Sequence, residues 1–407
     1  MNDRTSDVFP RTAGSRLTRR RLLLAAGGGA AALAGAGALY AAVGKLAPPA
    51  RHVVAPPPHG FPAGQYQILD YGVRVRTDPA SAVEVIIPPV WNLVVTATLT
   101  HAPSVHDQQR LEAALQAIES AYSYAPSGVF ALVAYGLPYF RHSVSPPVFD
   151  AHLPRMTNAD AAPVVAGDTA PPVLLDAIRF PSDPASTLLE ANDVAFHFRS
   201  DVLDNLHDVQ RALFQRGGRL AGQSATTADI ADLFSVTSVR TGFVGAGMPR
   251  NMAEQAHLPF AAAIPASAPL FMGFTSTQRL GQAAEVAVSF DGKRDALLQP
   301  LTTARPGDYF AGGTSLHLSH LVEDLEKWYT LSYEQRAARM FHLNAVAPAG
   351  RVSVQTLWLN PNTTPIDAQQ HGVIGHNEAV QRGSRSREGQ ALQLRVDFNT
   401  MDPLDAA

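Results

Sequence analysis

The sequence contains no cysteine. That excludes a disulfide framework, an iron–sulfur cluster, a thiolate metal ligand and a lipidated cysteine. Charge is also scarce: Asp, Glu, Lys and Arg make up 16% of the chain, against roughly 25% in ordinary globular domains. The 32 basic and 35 acidic residues leave a formal net charge of −3, so no global basic field is present to hold a nucleic acid. What is there instead is apolar. Hydrophobic residues are 46% of the 407, enough to exclude wholesale disorder and to fill a sizeable core. That length accommodates one large domain or two to three ordinary ones.

The N-terminus pairs a basic stretch with a weakly hydrophobic one. Arg16, Arg19, Arg20 and Arg21 precede a run from Leu22 to Val43 that carries no charge and is mostly Ala, Gly and Leu. Basic residues followed by an apolar segment form a signal-peptide pattern, and adjacent arginines just before it make it look like a twin-arginine signal read by the Tat translocase. The expectation is export of a folded protein to the periplasm, the cell envelope or the outside. The competing reading is a retained membrane anchor over residues 22–43, which are numerous enough to span a bilayer. Pro48, Pro49, Pro56, Pro57, Pro58 and Pro62 follow, a composition that favours an extended spacer.

Beyond the spacer, the pattern alternates strands and helices. Trp91–Thr100 is rich in β-branched residues and reads as a buried strand. Asp107–Tyr122 places Leu111, Ala114, Leu115, Ile118 and Ala121 on one helical face. Gly128–Tyr135 and Val194–Arg199 read as strands, and Asp201–Gln215 as a helix stopped by Arg216-Gly217-Gly218. The order β-α-β-loop-β-α is the skeleton of a ferredoxin-like half. Further on, Ser315–Leu318 reads as a strand and Ser319–Thr330 as a helix. Ser332–Phe341 reads as a short helix with Ser332 as N-cap and Gln335 at the capping-box position. Ala391–Phe398 alternates apolar and polar residues with period two, as a strand does.

Four stretches together resemble the dye-decolourising peroxidase family. They are the strand-helix-strand from Asn92 to Phe140, the segment Asn192–Asp201 with its following helix, Gly312–Ser315 with Trp328, Leu331, Glu334 and Gln335, and Val380-Gln381-Arg382-Gly383 with the closing strand. The resemblance covers about residues 86 to 400. It implies an α+β fold: a duplicated ferredoxin-like (dimeric α/β-barrel type) arrangement with antiparallel sheets and surrounding helices. The expected division is a signal or anchor over 1–47, a Pro-rich linker and N-terminal extension over 48–85, and ferredoxin-like halves over 86–230 and 231–407.

The same resemblance implies a haem b cofactor, with hydrogen peroxide and a small organic reductant as reactants. His376 is then the proximal iron ligand, with Glu378 as the carboxylate that strengthens it. Arg382 matches the distal arginine, which stabilises negative charge developing on peroxide. The chain departs from the family's G-F-x-D-G motif, since Ser276 stands at the aspartate position and Thr277 at the final glycine. A serine hydroxyl does not titrate near working pH and is a poor general acid or base, so with Arg382 and Ser276 as catalytic positions the expected activity is weak or altered. The alternative is a degenerate binding or scaffold protein of the cell envelope without haem.

Plainer readings compete at each position. His371 and His376 are equally ordinary loop histidines, and as a zinc or copper pair they lack a third ligand at a diagnostic spacing. His317 and His320 read as a polar junction between strand and helix. Arg382, Arg385 and Arg387 read as a solvated basic loop. Ser276 has no G-x-S-x-G elbow around it. Gly242–Gly247 lacks the G-x-G-x-x-G of a dinucleotide site and reads as a flexible loop.

Overall fold

The structure, a computed structural model, describes residues 51–52, 74–77, 84–144, 149–157, 170–179, 181, 183–274, 289–293, 298–340 and 399–400. It is an α+β fold with antiparallel sheets. Strands β1 (Arg51–His52), β2 (Arg74–Thr77) and β3 (Glu84–Ile87) form a three-stranded antiparallel sheet. Within the Pro-rich stretch, Arg51 and His52 pair with Val75 and Arg74.

The main sheet is built from β4 (Trp91–Leu99), β5 (Phe130–Tyr135), β6 (Val194–Ser200), β9 (Phe234–Phe243) and β10 (Asn399–Thr400). Between them run helix α1 (Val105–Ala121), a π-turn at Tyr139–Ser143, the short helix α2 (Phe149–His152), helix α3 (Leu203–Phe214) and the small hairpin β7 (Arg219–Leu220) and β8 (Gln223–Ser224). The spatial order is β10-β9-β4-β6-β5, with every neighbouring pair antiparallel. Helix α1 joins β4 to β5 and α3 joins β6 to β9, each crossing past one intervening strand.

Both helices cover the same face. Leu111, Ala114 and Ile118 of α1 and Leu206, Val209, Ala212 and Leu213 of α3 pack on Trp91, Leu93, Val95 and Ala97 of β4 and on Val194, Phe196 and Phe198 of β6. The spacings three, four and seven along each helix make one apolar stripe, and the odd residues of β4 and even residues of β6 make one sheet face. Phe196 is fully buried and meets Phe214 and Phe234 edge-on. Ser104 caps α1 by accepting from Asp107 N–H, while the Asp107 carboxylate accepts from Ser104 N–H. That reciprocal pair satisfies two N-terminal donors, and the Asp107 carboxyl, accepting first from the Ser104 hydroxyl and then from Ser104 N–H, is held down at about 2.

Two aspartates close the ends of the central strand. Asp193, ahead of β6, accepts from Leu99 N–H at 2.8 Å and from the Ser143 hydroxyl at 2.9 Å. Asp201, after β6, accepts from Val90 N–H at 3.0 Å. Each supplies an acceptor to a backbone group where the ladder ends.

Several expectations are corrected here. Strand β9 pairs with β4 along its whole length, so the main sheet takes strands from both sides of position 230. Residues 315–318 form no strand, and the expected helix from Ser319 to Thr330 shrinks to α5 (Leu325–Trp328). Leu321 and Val322 are exposed, so no buried face supports an earlier start. Asp324 caps α5 by accepting from Lys327 N–H at 3.0 Å. Helix α4 (Met248–Gln255) opens at Gly247. The stretch Gly242–Gly247 is thus the end of a strand and a tight turn rather than a loose loop. Gly247 has φ +82°, and a Cβ there would stand 3.0 Å from Ala266 O. Helix α6 (Tyr333–Met340) carries the expected capping box, with Gln335 N–H on the Ser332 hydroxyl and Ser332 N–H on Gln335 Oε1.

Candidate functional site

The sheet face turned away from α1 and α3 is of a different kind. Cross-strand partners share a face, so the pairings align Phe130, Arg199, Asn92 and Gly242 in one row and Leu132, His197, Val94 and Arg240 in the next. A third row holds Ala134, Ala195, Thr96 and Ser238. A bulge after Thr96 leaves Thr237 as the extra residue on β9, and its hydroxyl reaches the Thr96 hydroxyl at 3.0 Å and donates to Asn192 Oδ1 at 2.6 Å.

Glu190 sits at the centre of the polar network along one side of this face. It accepts from Arg240 Nη2, from Asn192 Nδ2 at 2.7 Å and from the Thr96 hydroxyl at 3.3 Å. Burial alone would push this carboxyl up, but Arg240, Asn192 and Thr96 together outweigh it and bring it below the usual glutamate value. Arg240 also donates through Nε to His320 Nδ1 at 3.4 Å, and His320 Nε2 bonds the Thr400 hydroxyl at 3.0 Å. Burial first, and Arg240 beside it second, lower His320 below the usual histidine value. Its environment is this network rather than the polar strand-to-helix junction expected for it.

On the other side stand His197 and Arg199. His197 Nε2 donates to Asn92 Oδ1 at 3.0 Å. Its ring keeps some surface area, yet the protein atoms crowded around it displace most of its hydration. Burial first, and the Arg199 charge second, drive it down to about 3. Arg199 is 5% exposed. Burial brings its guanidinium down to about 10, with Asp201 pulling the other way. Among the described residues, five buried polar atoms on this face have no hydrogen-bond partner: Asn92 Nδ2, Arg199 Nε and Nη2, Ser238 Oγ and Arg240 Nη1.

The residues singled out from sequence, Ser276, His376, Glu378 and Arg382, lie outside the described residues, as do His371, Arg385, Arg387 and the closing strand Ala391–Phe398. The approach to Ser276 is described as far as Phe274. Trp328 Nε1 donates to Met272 O at 3.0 Å and the Tyr329 hydroxyl to Phe271 O at 2.6 Å. Phe271 N–H donates to Asn399 Oδ1 at 2.9 Å. Phe274 packs edge-on against Trp328. At Gly273 φ is +87°, and a Cβ would meet the Tyr329 hydroxyl at 2.8 Å. The helix that carries Trp328 and the last described strand, through Asn399, thus meet at residues 271–274. The segment 22–43 is also outside the described residues, and among those described no helix is long and apolar enough to cross a membrane.

Arg199, His197 and Arg240 were not picked out from sequence. The signal was there in Val194–Ser200, where Val194, Phe196 and Phe198 alternate with Ala195, His197 and Arg199. An ionisable pair on one side of a strand otherwise built for a core marks a second face with a polar task.

A sheet of this antiparallel order, with both helices on one face and buried polar groups on the other, defines an α+β protein. Residues 89–407 match the model of a family of unknown function, DUF7405, and the chain belongs to that family. No curated protein matches it.

Proposed function

We propose that the chain is an exported, haem-binding, peroxidase-like protein that oxidises small organic substrates with hydrogen peroxide. The observation that supports this best is the strand order β9-β4-β6-β5 with two split β-α-β crossings. That is the βαββαβ arrangement of one ferredoxin-like unit, the unit that the dye-decolourising peroxidase resemblance implies twice. The second unit, over the C-terminal half, is part of the proposal. So is passage through the Tat translocase, which suits a protein that must fold around its cofactor before export.

The histidines withdrawn from water on the sheet do not suit an iron ligand. Both nitrogens of His320 are engaged, and Nε2 of His197 is held by Asn92. Among the described residues no group of three His, Asp or Glu side chains could hold a metal ion. The proposal therefore keeps His376 as the residue that would hold haem iron, with Glu378 accepting from the other ring nitrogen. Bound haem would supply the oxidising chemistry. Arg382 would stabilise negative charge on the peroxide. Ser276 can donate a hydrogen bond but is a poor proton carrier, which makes the proposed peroxidase slow.

A second reading, a haem-free binding or scaffold protein of the envelope, is favoured by serine at position 276. One experiment separates the two. Purified protein supplied with haem should show a Soret band, which His376→Ala abolishes and His371→Ala does not. No band under haem excess would sink the peroxidase reading and leave the second.

A further inference from the structure

The five unpartnered atoms on the face turned away from α1 and α3 are buried and share a chemical bias. Four are N–H donors with no acceptor capacity, and the fifth is the Ser238 hydroxyl. The face is short of acceptors, not of donors. Arg199 Nε and Nη2 lie along one edge of the guanidinium, the edge that receives the two oxygens of a carboxylate side by side. Asn92 stands directly opposite Arg199 on β4, and its Nδ2 has no partner while its Oδ1 is taken by His197. Arg240, whose charge is already met by Glu190, keeps Nη1 spare on the strand beyond. Water would satisfy single donors, but a buried guanidinium also wants a counter-charge. Asp201 acts on the Arg199 charge from beyond the strand end, yet Nε and Nη2 have no hydrogen-bond acceptor.

We infer that this face binds a carboxylate-bearing ligand, held bidentately by the Nε–Nη2 edge of Arg199 with Asn92 Nδ2 beside it and Arg240 Nη1 and Ser238 at the far end. Glu190 matches the Arg240 charge and Asp201 acts on that of Arg199, so what the ligand brings is the acceptors that the Nε–Nη2 edge lacks. The inference does not depend on haem, and its failure leaves the peroxidase proposal untouched.

The test uses the purified full-length chain and sodium propionate as the probe, with inorganic phosphate and chloride at matched ionic strength. Propionate should raise Tm saturably, as a ligand that binds only the folded state does. Arg199→Lys keeps the charge but lacks the fork, and should weaken binding at least about tenfold. Asn92→Asp places a carboxylate across from Arg199. It should raise Tm without ligand and abolish the propionate response, and it serves as the readout should the lysine variant fold poorly. No saturable propionate effect on the wild type would overturn the inference. So would an undiminished response in Asn92→Asp, or a response to phosphate alone.

Discussion

The two faces of the main sheet are made from alternate residues of the same strands, yet they answer to different demands. On the helix-covered face, Leu93, Val95, Phe196 and Phe198 are buried against α1 and α3. On the opposite face, Asn92, His197, Arg199 and Arg240 are drawn out of water with donors left over. Apolar burial is non-directional and stabilises whatever packs. A buried donor without an acceptor destabilises by about 1–3 kcal/mol. One face therefore holds the fold together, and the other carries a local instability that a bound partner would relieve. In β6 the two roles alternate residue by residue, so a one-residue slip in register would exchange them.

The contrast can be broken most forcefully at Phe196. Phe196→Ala removes a fully buried ring from the junction of β6, α3 and β9, and should cost about 3–5 kcal/mol in urea unfolding. A cost below about 1 kcal/mol would mean that the helix-covered face is not the core. The next effect concerns protons. His197 titrates at about 3 in the folded chain, against about 6.5 unfolded. Between those values the unfolded chain holds the extra proton, so stability is full above 6.5 and falls as pH drops toward 3. The fall is at most about 1.4 kcal/mol per unit. His320, also lowered, adds in the same direction. Glu190 lies below its ordinary value, so its contribution is present above that ordinary value and is lost as pH falls through the folded one. His197→Gln should flatten the limb between pH 6.5 and 4.5 without erasing it. Urea midpoints at pH 7 and pH 5 measure this, and parallel loss in mutant and wild type would sink the assignment.

How much of this could be read from the sequence follows the same division. The helix-covered face was legible because its signals are periodic: Leu111, Ala114 and Ile118 on α1, and the β-branched run of β4. Strand β9 was not read, because FSVTSVRTGF scatters two valines among small polar residues and an arginine without a strict alternation. Its strand character comes from pairing with β4, a tertiary cause. The donor-rich face was illegible for a related reason: its members come from β4, β6 and β9, far apart in the chain, and only the register places Asn92 against Arg199. The stretch 315–330 misled because apolar residues at helical spacing imply a helix only if something covers them, and Leu321 and Val322 are exposed.

A smaller effect tests the local half of that lesson. Ser104→Ala removes the hydroxyl that accepts from Asp107 N–H, and should cost about 1 kcal/mol in urea unfolding. The loss should be the same with and without propionate, since α1 lies on the far side of the sheet.

The smallest expected change, and the most discriminating in sign, is at Arg199. On the helix-covered face, deleting a buried side chain must destabilise. On the opposite face, Arg199→Met replaces a buried guanidinium having two orphaned nitrogens with an apolar chain of similar length. Nothing hydrogen-bonded through Nε or Nη2 is lost. The desolvation that lowers the guanidinium toward 10 disappears with it. Asp201 keeps its bond to Val90 N–H. Ligand-free Arg199→Met should therefore unfold within about 1 kcal/mol of the wild type, or at higher urea, as apolar replacements of buried charges often do. With propionate present the wild type should gain stability and the mutant should not. A loss of several kcal/mol without ligand would mean that Arg199 is a structural member of the sheet, and the two faces would then share one role.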